Sequence, residues 1–492
     1  MPEGPAVVTF VTASSWLDGP GFLGLRRLAR EVADVISIVD LGGDNKGSIK
    51  DENVFGIETP VAIVTLARKN GSNRTSLARV QFRALQGSRP QKLEQLEQLD
   101  PADADWELVD GDWYSPLRPP TGDSSWAVHP SLTDLLPWQQ PGCKLNRTWP
   151  IAPHPTLLER RWSRFLATSD PQDRAACFVT ASSGRNIETA VQGYTRLVDE
   201  PVGAPSMPIV EYGYRSFDTQ WTFDDPRLAK TDSPSLWLSR SDTQVFMVAC
   251  TSHAISSGPA AVAFTGVPDL DSYRGAEGGK HVIPLYRDAF RAPNVDAGVL
   301  EGIRTAMSSI PIAPEDLFAY CYGVLGGTDY TERFASELET PGLRVPLTKS
   351  PALFQAMARH GRSLIALHTR GSRFSEDLPA DVVSGVNWVR TPTAPPATLR
   401  EVVYDEDRGV LSVGDGMLEG VSADSWAFDV SGMPVLRKWL GYRTAKGTGR
   451  AASSSSPLDQ IRPDVWYADW NDELWDLVTM LEMTCVLQST GV

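Results

Sequence analysis

Between Tyr214 and Trp221 the sequence sets a guanidinium (Arg215), a carboxylate (Asp218) and aromatic faces within eight residues, YRSFDTQW. That mixture can read nucleic acid, because an arginine fork matches guanine O6 and N7 and an indole packs on a sugar or base. The same residues also permit a structural reading, in which Arg215 and Asp218 form a buried pair that braces a turn. Two further groups of cations could hold phosphate. Arg370 and Arg373 lie in TRGSRFS, directly after the apolar run SLIALHT, which reads as a strand; this places both arginines in an exposed loop. Lys446 and Arg450 occupy the Gly-containing loop that follows SGMPVLRKWLGYR.

Other motifs imitate chemistry without its context. Gly19-Pro20-Gly21-Phe22-Leu23-Gly24 spells G-x-G-x-x-G between a strand and a helix, with Asp40 closing the next strand. A dinucleotide cradle must begin where the strand ends, so that the helix N-terminus faces the pyrophosphate. Here ASSWLD intervenes, and Pro20 removes one N–H. Ala254-Ile255-Ser256-Ser257-Gly258, close to His253, resembles a hydrolase nucleophile elbow, but an elbow needs a strand running into a helix. VFMVACTS runs instead into AAVAFTGV, a second strand, and a hairpin turn accounts for the Ser and Gly. Five cysteines (Cys143, Cys177, Cys250, Cys321, Cys485) are scattered with no C-x-x-C, which fits neither a disulfide framework nor a zinc site. They are expected to be reduced thiols, mostly buried, and no metal site is expected.

At 492 residues the chain is long enough for two to four domains. Its longest apolar runs fall far short of the ~18 residues that span a bilayer, and MPEGPAVVTF has no basic n-region, so nothing marks the chain for export and a cytoplasmic location is expected. The net charge of −15 argues against nucleic-acid binding by bulk charge. Locally the balance reverses. Arg344 to Arg400 holds eight basic residues against three acids, and Arg437 to Arg462 holds six against Asp459 alone. Either window is a solvated face or part of an anion-binding surface.

These side chains must be carried by folded elements. Residues 6–12 read as a strand, 20–33 as a helix with Leu23, Leu28 and Val32 inward, 35–41 as a strand, and 60–69 as another after a Gly/Asn-rich loop. Residues 86–140, rich in Pro, Gln and Asp, read as a connector. Beyond them, short strands mix with helices (PEDLFAYCYGVLGG, SPALFQAMARHG, MPVLRKWLGYRT, NDELWDLVTMLEMTCVL), the pattern of an α+β domain.

One segment joins this organisation to a known family. The order strand GPAVVTFVTASSWLDG, helix, strand VISIVDLGG, loop, NVF, strand VAIVTLARK resembles the stretch that follows the catalytic tetrapeptide of gamma-class DNA adenine-N6 methyltransferases. PGCKLNRTW, YGYRSFDTQWTFDDPRL, IPLYR, FAYCYGVLGGTDYTERFASEL, LRVPLTK and SGMPVLRKWLGYR extend the likeness to the C-terminal specificity domain of type ISP restriction-modification enzymes. The resemblance implies an α/β fragment of a methyltransferase-type sheet followed by a larger α+β DNA-recognition domain: residues 1–85 as the end of the methyltransferase domain, 86–140 as connector and 141–492 as the specificity domain. It also implies that Phe55 stacks on the flipped target adenine, a base that has lost its stacking neighbours and needs a new π-face.

The sequence departs from the family's full pattern in having no N-P-P-Y or D-P-P-Y tetrapeptide, no Gly-rich S-adenosylmethionine loop, no P-loop and no nuclease carboxylate cluster. No catalytic residue is therefore assigned, and no cofactor is expected in this chain alone; S-adenosylmethionine belongs to the complete enzyme. The expected partners are double-stranded DNA and a polypeptide that supplies the N-terminal half of the methyltransferase. The alternative is a non-catalytic remnant or scaffold of such an enzyme.

Overall fold

A computed structural model describes residues 4–43, 52–57, 59–69, 76–100, 106–119, 126–179, 184–230, 232–251, 253–275, 277–339, 341–379, 385–447 and 452–489. The chain divides into two compact units, residues 1–128 with 253–255, and residues 129–252 with 256–492.

The first unit is built on one five-stranded sheet. Alternating apolar residues form β1 (Ala6–Ala13), β2 (Val35–Asp40), β3 (Val61–Arg68) and β4 (Arg79–Ala84), and β5 (Glu107–Val109) completes the order β1-β3-β2-β4-β5. β3 is antiparallel to both of its neighbours, β2 and β4 are parallel, and β5 is antiparallel to β4. Ile36, Ile38, Val64, Val80 and Phe82 fill the core beneath Trp16 and Leu17. The segment expected as connector contributes helix α2 (Arg89–Glu97) and β5 to this unit, and residues 129–140 to the second.

Helix α1 (Leu23–Val32) exists, preceded by a single 3-10 turn over Pro20–Phe22, but it faces the opposite way from expectation. Leu23 and Leu28 are 45% and 46% exposed, Val32 is half-buried, and Arg26 and Arg30 are buried. The inversion has a local cause. Arg26 donates to the carbonyls of Trp16, Gly19 and Tyr114, and Arg30 to those of Ser115 and Pro116, so the donors of both guanidiniums meet acceptors inside. The arginine stems then pack as apolar surface. Both helix faces could have been buried; the acceptors just before α1 and on the loop after β5 decide.

In the second unit, β6 (Ile151–Ala152), β7 (Ile209–Arg215), β8 (Asp218–Phe223) and β11 (Val267–Pro268) make a sheet ordered β11-β7-β8-β6. β9 (Phe246–Ala249) and β10 (Ala261–Phe264) pair antiparallel, as the hairpin reading of VFMVACTS and AAVAFTGV requires, and β12 (Val282–Pro284) joins β9. β13 (Asn387–Arg390), β14 (Val402–Asp405), β15 (Val410–Val413) and β16 (Gly416–Glu419) form a third, antiparallel sheet.

SLIALHT is not a strand. It is the second half of one helix, Pro351–His368, in which Leu364, Ile365, Ala366 and Leu367 are all buried. A run that is apolar all round carries no period by which helix and strand can be told apart. This helix lies against Pro314–Leu325 at glycine-to-glycine distance: a Cβ on Gly361 would sit 1.8 Å from the Ala319 carbonyl oxygen, and one on Gly323 would sit 2.7 Å from that of Met357. Four cysteines are buried and Cys485 is partly so; all five are free thiols. No helix among the described residues is long and apolar enough to cross a membrane.

Candidate nucleic-acid interface

The β7–β8 hairpin closes through Ser216 and Phe217, the latter at φ 61°, and a register shift at its end pairs Arg215 with Asp218 along the backbone. Their side chains part. Arg215 donates through Nη1 to Asp269 Oδ1 at 3.2 Å, while Asp218 Oδ1 accepts from Arg443 at 3.1 Å. Asp269 also accepts from the Tyr212 hydroxyl at 2.7 Å and from the Asp271 amide at 2.8 Å. Burial pushes the Asp269 carboxyl above the usual carboxylate range, and Arg215 pulls it back. A brace is thus present, but each member of the sequence pair has found a distant partner.

Facing this hairpin is the helix Val435–Tyr442. Val435, Leu436, Trp439 and Leu440 are the large side chains of its buried side, and Gly441 is buried as well. Pro434, Arg437, Lys438, Gly441 and Tyr442 fall three or four residues apart, on the other side. Those residues line a cleft of about 530 Å³ that is also lined by Tyr214, Arg215, Arg274, Arg161 and Arg462. Six cations therefore converge with two carboxylates, Asp271 and Asp459.

The cations are not equivalent. Arg161 is spent on the carbonyls of Trp149, Ile151 and Ile461, and Arg462 donates to those of Tyr442 and Thr444; burial lowers the affinity of both for their proton. Arg437 lies over the Trp426 ring at 5.0 Å, a cation–π contact that holds the guanidinium. Tyr214 meets Tyr442 edge to face at 5.0 Å and carries Arg215 over its ring at 4.0 Å. A wall of aromatic faces and charged donors can take up a polyanion with planar groups.

Of the residues singled out in sequence, Tyr214 and Arg215 line this cleft. Trp221 packs partly against the core around Trp149 and also borders a separate cavity of about 130 Å³ that includes Arg370. Arg370 follows a helix rather than a strand, is exposed, and faces the carboxylates of Glu473 and Asp476. Arg373 is committed to the carbonyls of Gln244, Ser372 and Ser241. Lys446 is exposed, its backbone N–H bonded to the Ala397 carbonyl; Arg450 lies outside the described residues. Arg437 and Lys438 were missed. The signal for them was in the sequence, since the apolar positions of VLRKWLGY define a buried face and put both cations opposite it.

Phe55 sits in the first unit and is 53% exposed. Buried Asn53 sets its turn: the Asn53 side chain accepts from the Phe55 amide at 2.9 Å and donates to the carbonyls of Thr59 and Gly43. Gly43 (φ 92°) and Gly56 (φ 69°) supply left-handed backbone on either side, and a Cβ on Gly43 would collide with Asn53. The residue is held at the surface of a fixed turn. The G-x-G-x-x-G stretch forms the 3-10 turn into α1, with the Gly19 carbonyl taken by Arg26.

Residues 134–477 match the Type ISP C-terminal specificity domain, and the chain belongs to that family. Its fold is similar to that of DrdV in a complex with DNA (TM-score 0.61, 21% identity, 99% of this chain and 50% of that one). It is likewise similar to the ATP-dependent Type ISP restriction-modification enzyme LlaBIII bound to DNA (0.64, 15%, 99% and 32%). A nuclease-deletion mutant of the Type ISP enzyme LlaGI with a DNA substrate mimic gives 0.60, 16%, 99% and 39%. The chain spans half or less of the length of these three. No curated protein sequence matches it.

Proposed function

We propose that this chain recognises a specific duplex DNA sequence for a restriction-modification system, and that the cleft between the β7–β8 hairpin and the helix Val435–Tyr442 is where it meets the DNA. The observation that carries this reading is the concentration of six cations against two carboxylates in one cleft of a chain whose net charge is −15. Binding then rests on a few local phosphate contacts, so it is weak and falls steeply with salt as counterions are released. Titrating a fluorescent duplex pool of random sequence with the full chain at several salt concentrations tests this. Log affinity that falls linearly with log salt supports it; equal binding at low and high salt overturns it.

The first unit, in the same reading, is the end of a methyltransferase-type sheet and contributes the target-base-stacking edge of an adenine-N6 DNA methyltransferase, with Phe55 as the stacking face. The exposed turn that carries Phe55 supports this role. S-adenosylmethionine would be held by the remainder of the methyltransferase domain rather than by these residues, and β1 gives that remainder a place to join. β1 is the outer strand of its sheet and exposes Val7, Val8 and Val11. Calorimetric titration of the chain with S-adenosylmethionine should show no binding in the micromolar range, and the chain by itself should transfer no methyl group to DNA; either activity would refute the division of labour. The proposed place of action is the cytoplasm.

A further inference from the structure

Lys438, unlike Arg161, Arg215 and Arg462, is not engaged by carbonyls or carboxylates of the described residues. Among the described residues its ammonium takes part in no ion pair and no hydrogen bond, although it points into a cleft that holds two carboxylates. Its neighbour across the cleft is Arg215, and both burial and the repulsion of that guanidinium push the Lys438 ammonium below its usual value. Two like charges facing one space raise the energy of the empty cleft and lower it when an anion enters between them.

Arg215 is prepared for the same anion. Its hydrogen bonds among the described residues all leave from Nη1, to Asp269 Oδ1 and to the Tyr214 carbonyl, so Nε and Nη2 remain for another acceptor. The guanidinium plane is fixed by that pairing and by the Tyr214 ring beneath it. Lys438 supplies a mobile point charge on a helix whose position is set by the buried Leu436, Trp439 and Leu440.

We propose that Lys438 and Arg215 together hold one backbone phosphate of the bound DNA, Arg215 as the fixed fork and Lys438 as the closing charge. The inference rests on the DNA-binding reading given above and assigns it a particular contact. It places Arg437, one residue away on the same face and held by Trp426, beside that phosphate, at the level of the neighbouring nucleotide.

The test compares the full chain with Lys438→Gln and Lys438→Arg on the random-sequence duplex pool, with melting temperatures measured in parallel. Removing one phosphate contact should reduce the slope of log affinity against log salt by about one unit. Lys438→Gln is expected to show that reduction, and Lys438→Arg to keep the wild-type slope. Because Lys438→Gln also removes a charge repelled by Arg215, its melting temperature should stay level or rise. A slope unchanged in Lys438→Gln, while the wild type binds DNA with steep salt dependence, overturns the phosphate site and leaves the DNA-binding reading standing. A reduced slope accompanied by a lower melting temperature makes Lys438 a structural residue and overturns the site as well. Absence of salt-dependent duplex binding by the wild type overturns both.

Discussion

Asp218 and Arg443, 225 residues apart in the chain, meet at 3.1 Å with both side chains removed from solvent. Arg443 also donates to Glu473 at 2.9 Å and lies over the Trp439 ring at 3.6 Å. The pair ties the β7–β8 hairpin to the end of the helix that forms the other wall of the cleft. Arg443→Ala leaves Asp218 buried beside an empty space, and breaking such a pair from one side costs about 3–5 kcal/mol. Denaturant unfolding should show that loss. A cost below about 1 kcal/mol would mean that the two walls do not depend on this pair.

His368 gives the second unit an acid-sensitive point. Thr484 Oγ1 donates to the Met480 carbonyl and so accepts from His368 Nε2, which leaves Nδ1 of the neutral imidazole to accept the Tyr322 hydroxyl at 2.6 Å. Burial, with His360 adding to it, pushes the imidazole from 6.5 down to about 3. An unfolded histidine takes a proton near pH ~6.5, whereas the folded one refuses it down to about 3. This contribution to stability is therefore complete above the unfolded value and is lost as pH falls from there toward the folded one, at up to ~1.4 kcal/mol per pH unit. Denaturation midpoints measured between neutral and mildly acidic pH should fall accordingly, and the fall should be shallower in His368→Gln.

Gly361 lies inside a long helix, where alanine would ordinarily be favoured by about 1 kcal/mol. Here the sign reverses, since the added methyl would meet the Ala319 carbonyl oxygen at 1.8 Å. Gly361→Ala should lower stability by at least the ~1–3 kcal/mol typical of overpacking. A variant as stable as the wild type would show that the two helices can separate without loss.

Phe55→Ala separates surface from core. With the ring 53% exposed, truncation should change stability by no more than about 0.5 kcal/mol. In an enzyme reconstituted with the polypeptide that carries the cofactor site, the loss of base stacking should cost ~1–3 kcal/mol in methylation of duplex DNA. Unchanged methylation removes Phe55 from the site, and a large drop in melting temperature makes it a core residue.

Where local pattern determines the outcome, the sequence was readable: β1 to β3 follow from apolar strand-length runs, and the helices Pro314–Leu325 and Asp469–Ser489 from apolar segments too long for a strand. It failed where a distant group decides. The inward turn of Arg26 and Arg30 depends on carbonyls more than eighty residues along the chain, at Tyr114 to Pro116. Arg215 and Asp218 looked like a pair because they are close in sequence, whereas Asp269 and Arg443 offered better-placed charges. Arg373 looked free for phosphate because nothing near it in sequence reveals the carbonyls of Ser241 and Gln244. The cleft itself unites residues from Thr148 to Arg462, and no window of sequence contains it.

The outward leucines of α1 bear on how the protein can be handled and altered. Leu23, Leu25 and Leu28 are each close to half exposed, and the fold of the first unit is secured instead by Arg26, Ala29 and Arg30. Replacing the three leucines by lysine should therefore cost little folding stability while raising solubility, which inverts the usual rule for choosing which residues of an amphipathic helix can be made polar. If such a soluble variant folds and still binds duplex DNA but no longer supports methylation in the reconstituted enzyme, those leucines serve the joining of the methyltransferase halves, not the integrity of the fold.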